Sequence, residues 1–167
     1  VYLVSDEIHA DIIFPPHEHI SVLSFDKGQN DKFIVLNSPS KSFNVAGLNT
    51  AYALIPDVKT RTAFRQQLRC MNLHGVNLFG MIALEAAYCK GEEWLVSLLQ
   101  YLQSNRQFIT DILSKELPGL EYFVPEGTYL YWLNFNSLGL TAQQIEKRLL
   151  EDAKVGLNNG STFSRAN

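Results

Sequence analysis

The sequence predicts an α/β fold built on a mostly parallel sheet, and three observations support this prediction. Short apolar runs bounded by Pro, Gly, Asn or Asp occur in the first third of the chain, as expected for buried strands. Longer runs follow in which apolar residues recur at three- and four-residue steps, as expected for helices. Polar side chains come directly after the first two strand-like runs, where an open α/β sheet forms its ligand crevice.

Three strands are predicted near the N-terminus. They cover Val1 to Ser5, Phe33 to Asn37 and Ala51 to Ile55, and nearly all of their residues are apolar. Strands without polar alternation are typical of a sheet covered on both faces rather than of a half-exposed antiparallel sheet. The segment Pro15-Pro16-His17-Glu18-His19 between the first two strands is predicted to be a loop.

Three helices are predicted to follow the strands. Asp57 is a candidate N-cap for the first helix. The second, from Leu78 to Lys90, has little polar surface, so we expect it to be deeply packed. The third runs from about Glu92 to Pro118-Gly119, and a helix of this length spans roughly 35 Å, enough to bridge two domains.

A change of domain is predicted near Leu120. An aromatic strand is expected over residues 129–135, and Thr141 to Gln144 match a capping box that opens a helix. Val155 to Leu157 are predicted to form a short strand before a turn at Asn159-Gly160. The chain begins inside a predicted strand and stops after a loop-like segment, so we expect it to be a piece of a longer protein.

A lysine follows the second predicted strand, in the run Ser38-Pro39-Ser40-Lys41-Ser42-Phe43-Asn44-Val45-Ala46-Gly47-Leu48. A lysine at the end of a buried strand is a candidate for forming a Schiff base. The first strand leads into Asp6-Glu7-Ile8-His9, which places a carboxylate and an imidazole at a neighbouring strand end. Taken alone, Lys41 would more often be a solvated surface residue, and Asp6 a turn or capping residue.

Together these segments resemble the cofactor-binding core of pyridoxal-phosphate (PLP) enzymes of the aspartate aminotransferase fold. The likeness is strongest to the cystathionine β-lyase-like, carbon–sulfur lyase branch, for which Asp6-Glu7-Ile8-His9 is typical. It implies that residues 1–91 are the second half of a PLP-binding large domain and that residues 92–119 are a connecting helix. Residues 120–167 would then be most of an α+β C-terminal small domain.

The resemblance implies a role for each of five residues. Lys41 would form the Schiff base with PLP and, once released, remove the α-proton of the substrate. Asp6 would keep the ring nitrogen of the cofactor protonated, so that the ring acts as an electron sink. Ser38 and Ser40 match hydroxyl positions near the cofactor phosphate, with Ser38 the stronger assignment. His9 stands where many relatives carry a tyrosine that hydrogen-bonds the ring oxygen; the alternative is a core histidine.

Two further features bear on this resemblance. Asn49 stands where many aminotransferases place an arginine against the phosphate, and it cannot supply that charge. The turn Pro125-Glu126-Gly127-Thr128-Tyr129 would lie close to the active site. Family members also use a phosphate-binding turn, a ring-stacking aromatic residue and a carboxylate-binding arginine, which we expect to lie outside this chain.

The implied reaction is α,β-elimination from a sulfur-containing amino acid such as cystathionine, which releases a thiol, ammonia and a 2-oxo acid. The first alternative is a PLP-dependent aminotransferase, which would use the same residues. The second is a non-catalytic, aminotransferase-like domain of a transcription regulator. By family analogy the full-length protein is expected to be a homodimer.

Composition excludes several other classes of function. The formal net charge of −3 provides no basic surface for nucleic acid, and no apolar stretch approaches the roughly 20 residues of a membrane span. A cytoplasmic protein is therefore expected. Cys70 and Cys89 follow no disulfide pattern and suit reduced thiols in a helix core. His17 and His19 lack a third convergent ligand, so no metal site is predicted.

Overall fold

The computed structural model describes residues 1–25, 32–73 and 75–163. These residues form five strands: β1 (Leu3–Asp6), β2 (Phe33–Asn37), β3 (Tyr52–Leu54), β4 (Glu121–Phe123) and β5 (Trp132–Asn134). They also form four α-helices: α1 (Val58–Cys70), α2 (Leu78–Lys90), α3 (Glu92–Glu116) and α4 (Ala142–Glu151). The chain divides into two compact units: Val1–Arg106 with Pro125–Tyr129, and Gln107–Val124 with the described residues from Leu130 onward. The predicted domain assignment stays a prediction.

The sheet of the first unit has the strand order β1-β2-β3. β1 and β2 are parallel, with Asp6 opposite Leu36, which agrees with the predicted fold class. β3 differs from the prediction because it runs antiparallel to β2, with Val35 opposite Leu54. The connection from β2 to β3 contains turns and the short 3-10 helix Ala46–Leu48 but no α-helix. Parallel strands need a longer crossover, usually an α-helix, so the chain returns in the opposite direction.

The core of the first unit lies next to β1 and β2. Its buried hydrophobic side chains are Ile12, Phe14, Val35 and Ile55. The segment that carries Ile12 and Phe14 pairs with the turn 125–129: Phe14 N donates to Glu126 O at 2.8 Å. This pairing holds the turn within the first unit.

Two predictions about burial are wrong for the described residues. In β1, Leu3 is 49% and Val4 is 55% exposed, so this strand is not covered on both faces. In α2 only Gly80 is buried, and Phe79 is 71% exposed. α2 has little polar surface, and its described contacts include those of Gly80 with Thr50 and of Tyr88 with Phe43 and Tyr52, so much of its apolar surface remains open.

The helix boundaries follow the predicted signals closely. Asp57 caps α1, and its side chain accepts a hydrogen bond from Thr60 N at 2.6 Å. α2 has the predicted bounds, and α3 begins at Glu92 as expected. Cys70 and Cys89 are free thiols but are exposed, so the expectation that they lie in a helix core is wrong.

The second unit contains a β-hairpin and α4. β4 and β5 are antiparallel, with Phe123 opposite Trp132, and β5 is shorter than the predicted strand over residues 129–135. The predicted capping box of α4 is confirmed, because Thr141 and Gln144 each accept from the other's backbone N–H.

The predicted strand over Val155 to Leu157 is wrong. Val155 N donates to Leu149 O at 2.8 Å, so the backbone of Val155 serves the C-terminus of α4 instead of a strand. The chain turns at Lys154, which has a positive φ of 56°.

Within the described ranges, no helix combines the length and apolar character that crossing a membrane requires.

Close packing at Gly80 leads to a prediction about stability. A Cβ atom at Gly80 would overlap the Thr50 hydroxyl and lie 3.1 Å from Leu48 O. Thr50 is buried, so it has little room to move away. We expect Gly80→Ala to lower the free energy of unfolding by about 1–3 kcal/mol, although alanine is the better helix former.

Urea unfolding measures this effect, and Gly119→Ala is the matched control, since no atom lies within 4 Å of a Cβ there. An unfolding midpoint for Gly80→Ala equal to that of the wild type would contradict the packing described.

Candidate active site

The parallel pairing of β1 and β2 brings the two predicted site segments to one edge of the sheet. Asp6 lies opposite Leu36, and Glu7 N donates to Leu36 O at 2.8 Å. Neighbouring strands are about 4.8 Å apart, so the residues that follow Asp6 and those that follow Asn37 start side by side. Both segments belong to the first unit.

The loop that carries Lys41 is fixed by hydroxyl groups on both sides of the lysine. Ser38 Oγ donates to Thr50 O at 2.7 Å, and Ser40 N donates to Ser38 Oγ at 3.1 Å. After the lysine, Ser42 is fully buried. Lys41 is exposed, and its side chain forms no hydrogen bond or ion pair with any described residue. The backbone is therefore held in place while the amine stays available for chemistry.

Ser38 and Ser40 differ in what their hydroxyl groups can still do. Ser38 is buried, and its hydroxyl hydrogen is used by Thr50 O. Ser38 N also donates to Asn37 Oδ1 at 2.7 Å. Ser40 is half-buried, and its hydroxyl contacts Ser38 Oγ. Because Ser38 gives its hydrogen to Thr50 O, Ser40 is the donor in this contact, and the order of the two serines as phosphate donors stays a prediction.

Asp6 is the last residue of β1 and is exposed. Its Oδ1 accepts a hydrogen bond from Ile8 N at 3.2 Å, a short-range contact typical of an aspartate that starts a turn. Its other carboxylate oxygen accepts no hydrogen bond within the described part of the chain. Asp6 therefore supports the local turn and keeps one oxygen open to a ligand.

His9 packs against the turn 125–129. Its ring meets the ring of Tyr129 edge-on, with 5.6 Å between the centroids. The Nδ1 atom of His9 is buried and has no hydrogen-bond partner among the described residues. Most buried polar atoms in folded proteins are satisfied, so this nitrogen is open to a ligand atom.

Asn49, where the sequence lacks the arginine of many relatives, has a conformational role. It has φ 48° and ψ 48°, in the left-handed region that asparagine adopts more readily than most residues. It ends the 3-10 helix Ala46–Leu48. Its backbone therefore shapes the end of the Lys41 loop.

Sequence reasoning assigned no role to Glu7, which is buried beside Asp6. Its carboxylate accepts from Ser5 Oγ at 3.1 Å, His19 Nε2 at 3.0 Å, Ser21 Oγ at 3.1 Å and Val22 N at 2.9 Å. Burial raises the pKa of Glu7, but these hydrogen bonds outweigh it and the pKa is lowered. The hydrogen bonds of this carboxylate thus hold the segment 19–22 next to the end of β1.

The two histidines of the proline-rich loop contact different carboxylates. His19 contacts Glu7, whereas His17 Nδ1 lies 3.4 Å from Glu126 Oε2. They do not converge on a shared point. Among the residues that the structure describes, no group of three or more His, Cys, Asp or Glu side chains could hold a metal ion.

A second missed contact joins the Lys41 loop to the segment after β1. Ser42 Oγ donates to Asp11 Oδ2 at 2.8 Å, and Trp94 Nε1 donates to Ser42 O at 3.2 Å. No local sequence pattern signals the contact between Ser42 and Asp11, because the two residues are 31 positions apart.

Asp11 also lies close enough to Tyr88 to affect its ionisation. Burial, a hydrogen bond from Tyr52 and the charge of Asp11 together raise the pKa of the Tyr88 phenol.

Taken together, a primary amine, a carboxylate, an imidazole nitrogen without a partner among the described residues, and a hydroxyl belong to the strand ends and following segments of β1 and β2 at one edge of the sheet. This set suits a cofactor with an aldehyde group, a basic ring nitrogen and a phosphate. The amine can bind the aldehyde, the carboxylate can pair with the protonated ring nitrogen, and the hydroxyl can donate to the phosphate.

Comparisons with known proteins agree with this arrangement. The sequence profile of the family "Aminotransferase class I and II" matches residues 1–165. Cystathionine β-lyase PatB of Bacillus subtilis (strain 168) is 37% identical over 163 residues, which are 98% of this chain and 42% of that protein. The chain therefore spans about two fifths of the length of this curated relative.

Solved structures are similar over the same region. Cystalysin from Treponema denticola, which contains PLP, matches with a TM-score of 0.94 at 28% identity, over 99% of this chain and 42% of that chain. The PLP-bound C-S lyase from Staphylococcus hominis matches with a TM-score of 0.84 at 31% identity, over 98% of this chain and 41% of that chain. These likenesses confirm the fold class predicted from the sequence.

The hydrogen bonds of Glu7 lead to a prediction about pH. A lowered pKa in the folded state means that Glu7 stabilises the fold above its unfolded pKa of about 4.3. This contribution is lost as the pH falls through the lower, folded pKa. We expect Glu7→Gln to reduce the free energy of unfolding at pH 7 by about 1–3 kcal/mol, and the difference from wild type to shrink towards pH 3.

Chemical denaturation at several pH values tests this, with Glu18→Gln as the control because Glu18 is exposed in the neighbouring loop. A difference for Glu7→Gln that does not change with pH would contradict the assigned role.

Proposed function

The chain belongs to the class I and II aminotransferase family, and we propose that the whole protein is a PLP-dependent carbon–sulfur lyase. It would catalyse α,β-elimination from S-substituted amino acids such as cystathionine, releasing a thiol, ammonia and a 2-oxo acid. The observation that carries this proposal is the unpaired amine of Lys41, held at the same sheet edge as Asp6. The names of the relatives favour elimination over amino-group transfer.

The residues present fit PLP by a criterion that does not depend on the relatives. His9 Nδ1 is buried without a partner in the part of the chain that the structure describes, and a polar atom of the cofactor would satisfy it. Lys41 Nζ would be the attachment point, and the open oxygen of Asp6 would pair with the ring N–H. The half-buried Ser40 would turn its hydroxyl from Ser38 Oγ to donate to the phosphate, while Ser38 holds the loop through Thr50.

In the proposed reaction Lys41 moves one proton in two transfers. Bound PLP would supply an electron sink for the charge that develops at the substrate Cα. Once released, Lys41 Nζ takes the proton from Cα, and the Cβ–S bond breaks with its electron pair leaving on sulfur. Lys41 then returns the proton to sulfur to give the free thiol, and water completes the release of ammonia and the 2-oxo acid. Asp6 keeps its negative charge throughout and holds the ring proton.

We also propose that the full-length protein is a homodimer and that it is cytoplasmic. A homodimer would bury part of the apolar surface that α2 leaves open, including Phe79. The two free, exposed thiols of Cys70 and Cys89 suit the reducing conditions of the cytoplasm.

Covalent attachment can be checked by trapping. We expect borohydride reduction of the PLP-treated full-length protein to leave the pyridoxyl group on Lys41, as located by peptide mapping. Lys41→Ala should lose the label, whereas Lys59→Ala, which changes an exposed lysine of α1, should keep it. Asp6→Asn should keep the label but lose most of the turnover, because a neutral amide cannot hold the charged ring nitrogen. A label on another lysine would rule out the assignment.

The type of reaction can be decided by its need for an acceptor. With cystathionine or a cysteine S-conjugate, a lyase releases thiol and pyruvate in equal amounts without an added 2-oxo acid. An aminotransferase stops after one turnover until such an acceptor is supplied. We expect the first result for the full-length protein. Strict dependence on an acceptor, without thiol release, would identify an aminotransferase instead.

A further inference from the structure

We propose that Asp11 is a positioning residue that acts through Ser42 to hold Lys41 in register with the segment carrying Asp6 and His9. This inference rests on the proposed function, because it concerns how the reactive amine is placed. Asp11 itself contacts the loop and not the amine, so it is assigned no chemical step.

The first argument is the position of Ser42. It directly follows Lys41, and it is fully buried, with a relative exposure of 0%. A buried hydroxyl needs a partner, and Asp11 Oδ2 accepts its hydrogen at 2.8 Å. A hydrogen bond to a charged acceptor is among the stronger ones in proteins. The residue next to the reactive lysine is thus attached by its side chain to a specific carboxylate.

The second argument is the position of Asp11 in the chain. It lies in the turn that follows β1, where Ala10 N donates to Glu7 O at 2.9 Å and Ile12 N donates to His9 O at 3.0 Å. This compact turn ties Asp11 to the end of the strand that bears the predicted partners of the cofactor ring. A shift of Asp11 would therefore move the Lys41 loop relative to them.

The third argument is that the loop is held on the other side of Lys41 as well. Ser40 is joined to Ser38, which donates to Thr50 O at 2.7 Å. The contact from Thr50, two residues before β3, therefore fixes the residues before Lys41, and the contact from Asp11 fixes those after it. Trp94 Nε1 donates to the carbonyl of Ser42, so the indole supports the backbone but does not replace the Asp11 contact.

The test begins with the cofactor-free, full-length protein and reads amide hydrogen exchange in the loop. The N–H groups of Phe43 and Val45 are bonded within it, to Pro39 O at 2.9 Å and to Ser40 O at 3.2 Å. We expect Asp11→Ala and Ser42→Ala each to raise their exchange rates about tenfold. The double variant should add little, because both changes remove the same hydrogen bond. Asp11→Asn keeps an oxygen acceptor and should stay within about threefold of wild type.

The second readout is the cofactor bound at Lys41. We expect Asp11→Ala to slow borohydride-trappable PLP attachment about tenfold and to shift the pH titration of the visible absorbance of bound PLP, with rescue in Asp11→Asn. Asp57→Ala is the matched control, because it removes an aspartate that accepts a hydrogen bond in α1. It should lower stability without changing the loop exchange or the absorbance titration.

The outcomes separate this inference from the proposed function. Absence of PLP on Lys41 in the wild type would overturn the proposed function, and with it the role assigned to Asp11. Normal attachment with wild-type loop exchange and absorbance titration in Asp11→Ala would overturn the inference alone. Equal effects of Asp57→Ala and Asp11→Ala would also overturn it, since the effect would then be one of general stability. If Asp11→Ala does not fold, Ser42→Ala takes its place, and wild-type loop exchange in Ser42→Ala would overturn the inference. Asp11→Asn should again behave like the wild type.

Discussion

The parallel register of β1 and β2 is the constraint on which the candidate site depends. With Asp6 opposite Leu36, the two strands end at the same edge of the sheet. A shift of one residue would reverse the direction of every side chain along β1. It would then turn Asp6 away from its present side and expose the buried carboxylate of Glu7. The position of the Lys41 loop beside the segment that carries Asp6 is therefore a consequence of strand pairing and not of local sequence.

Two of the candidate site residues, Asp6 and Lys41, each stand beside a buried polar residue. Exposed Asp6 precedes Glu7, and exposed Lys41 precedes Ser42. The buried member of each pair is bound to a partner distant in the chain: Glu7 to Val22, and Ser42 to Asp11. Leaving such a group without a partner costs about 1–3 kcal/mol, so the buried contacts resist local movement. Reactive groups can thus remain accessible while their backbone is fixed.

The sequence predicted those parts of the fold whose signals are local. Capping by Asp57 and the capping box at Thr141 depend on residues a few positions apart, and both are present. The edge shared by the first two strands was also expected from their polar ends. The antiparallel direction of β3 was not predicted, because it depends on how the connection from β2 folds and not on the composition of the strand. The contact between Asp11 and Ser42 lies between distant segments, so it required the folded structure.

A crystal structure of the full-length protein with PLP would show directly whether Lys41 and Asp6 hold the cofactor. We expect continuous electron density from Lys41 Nζ to the cofactor and an Asp6 carboxylate oxygen about 2.8 Å from the ring nitrogen. We also expect the hydrogen bond between Ser42 and Asp11 to be retained. Density from a different lysine, or an Asp6 carboxylate directed away from the ring nitrogen, would contradict the roles proposed for Lys41 and Asp6.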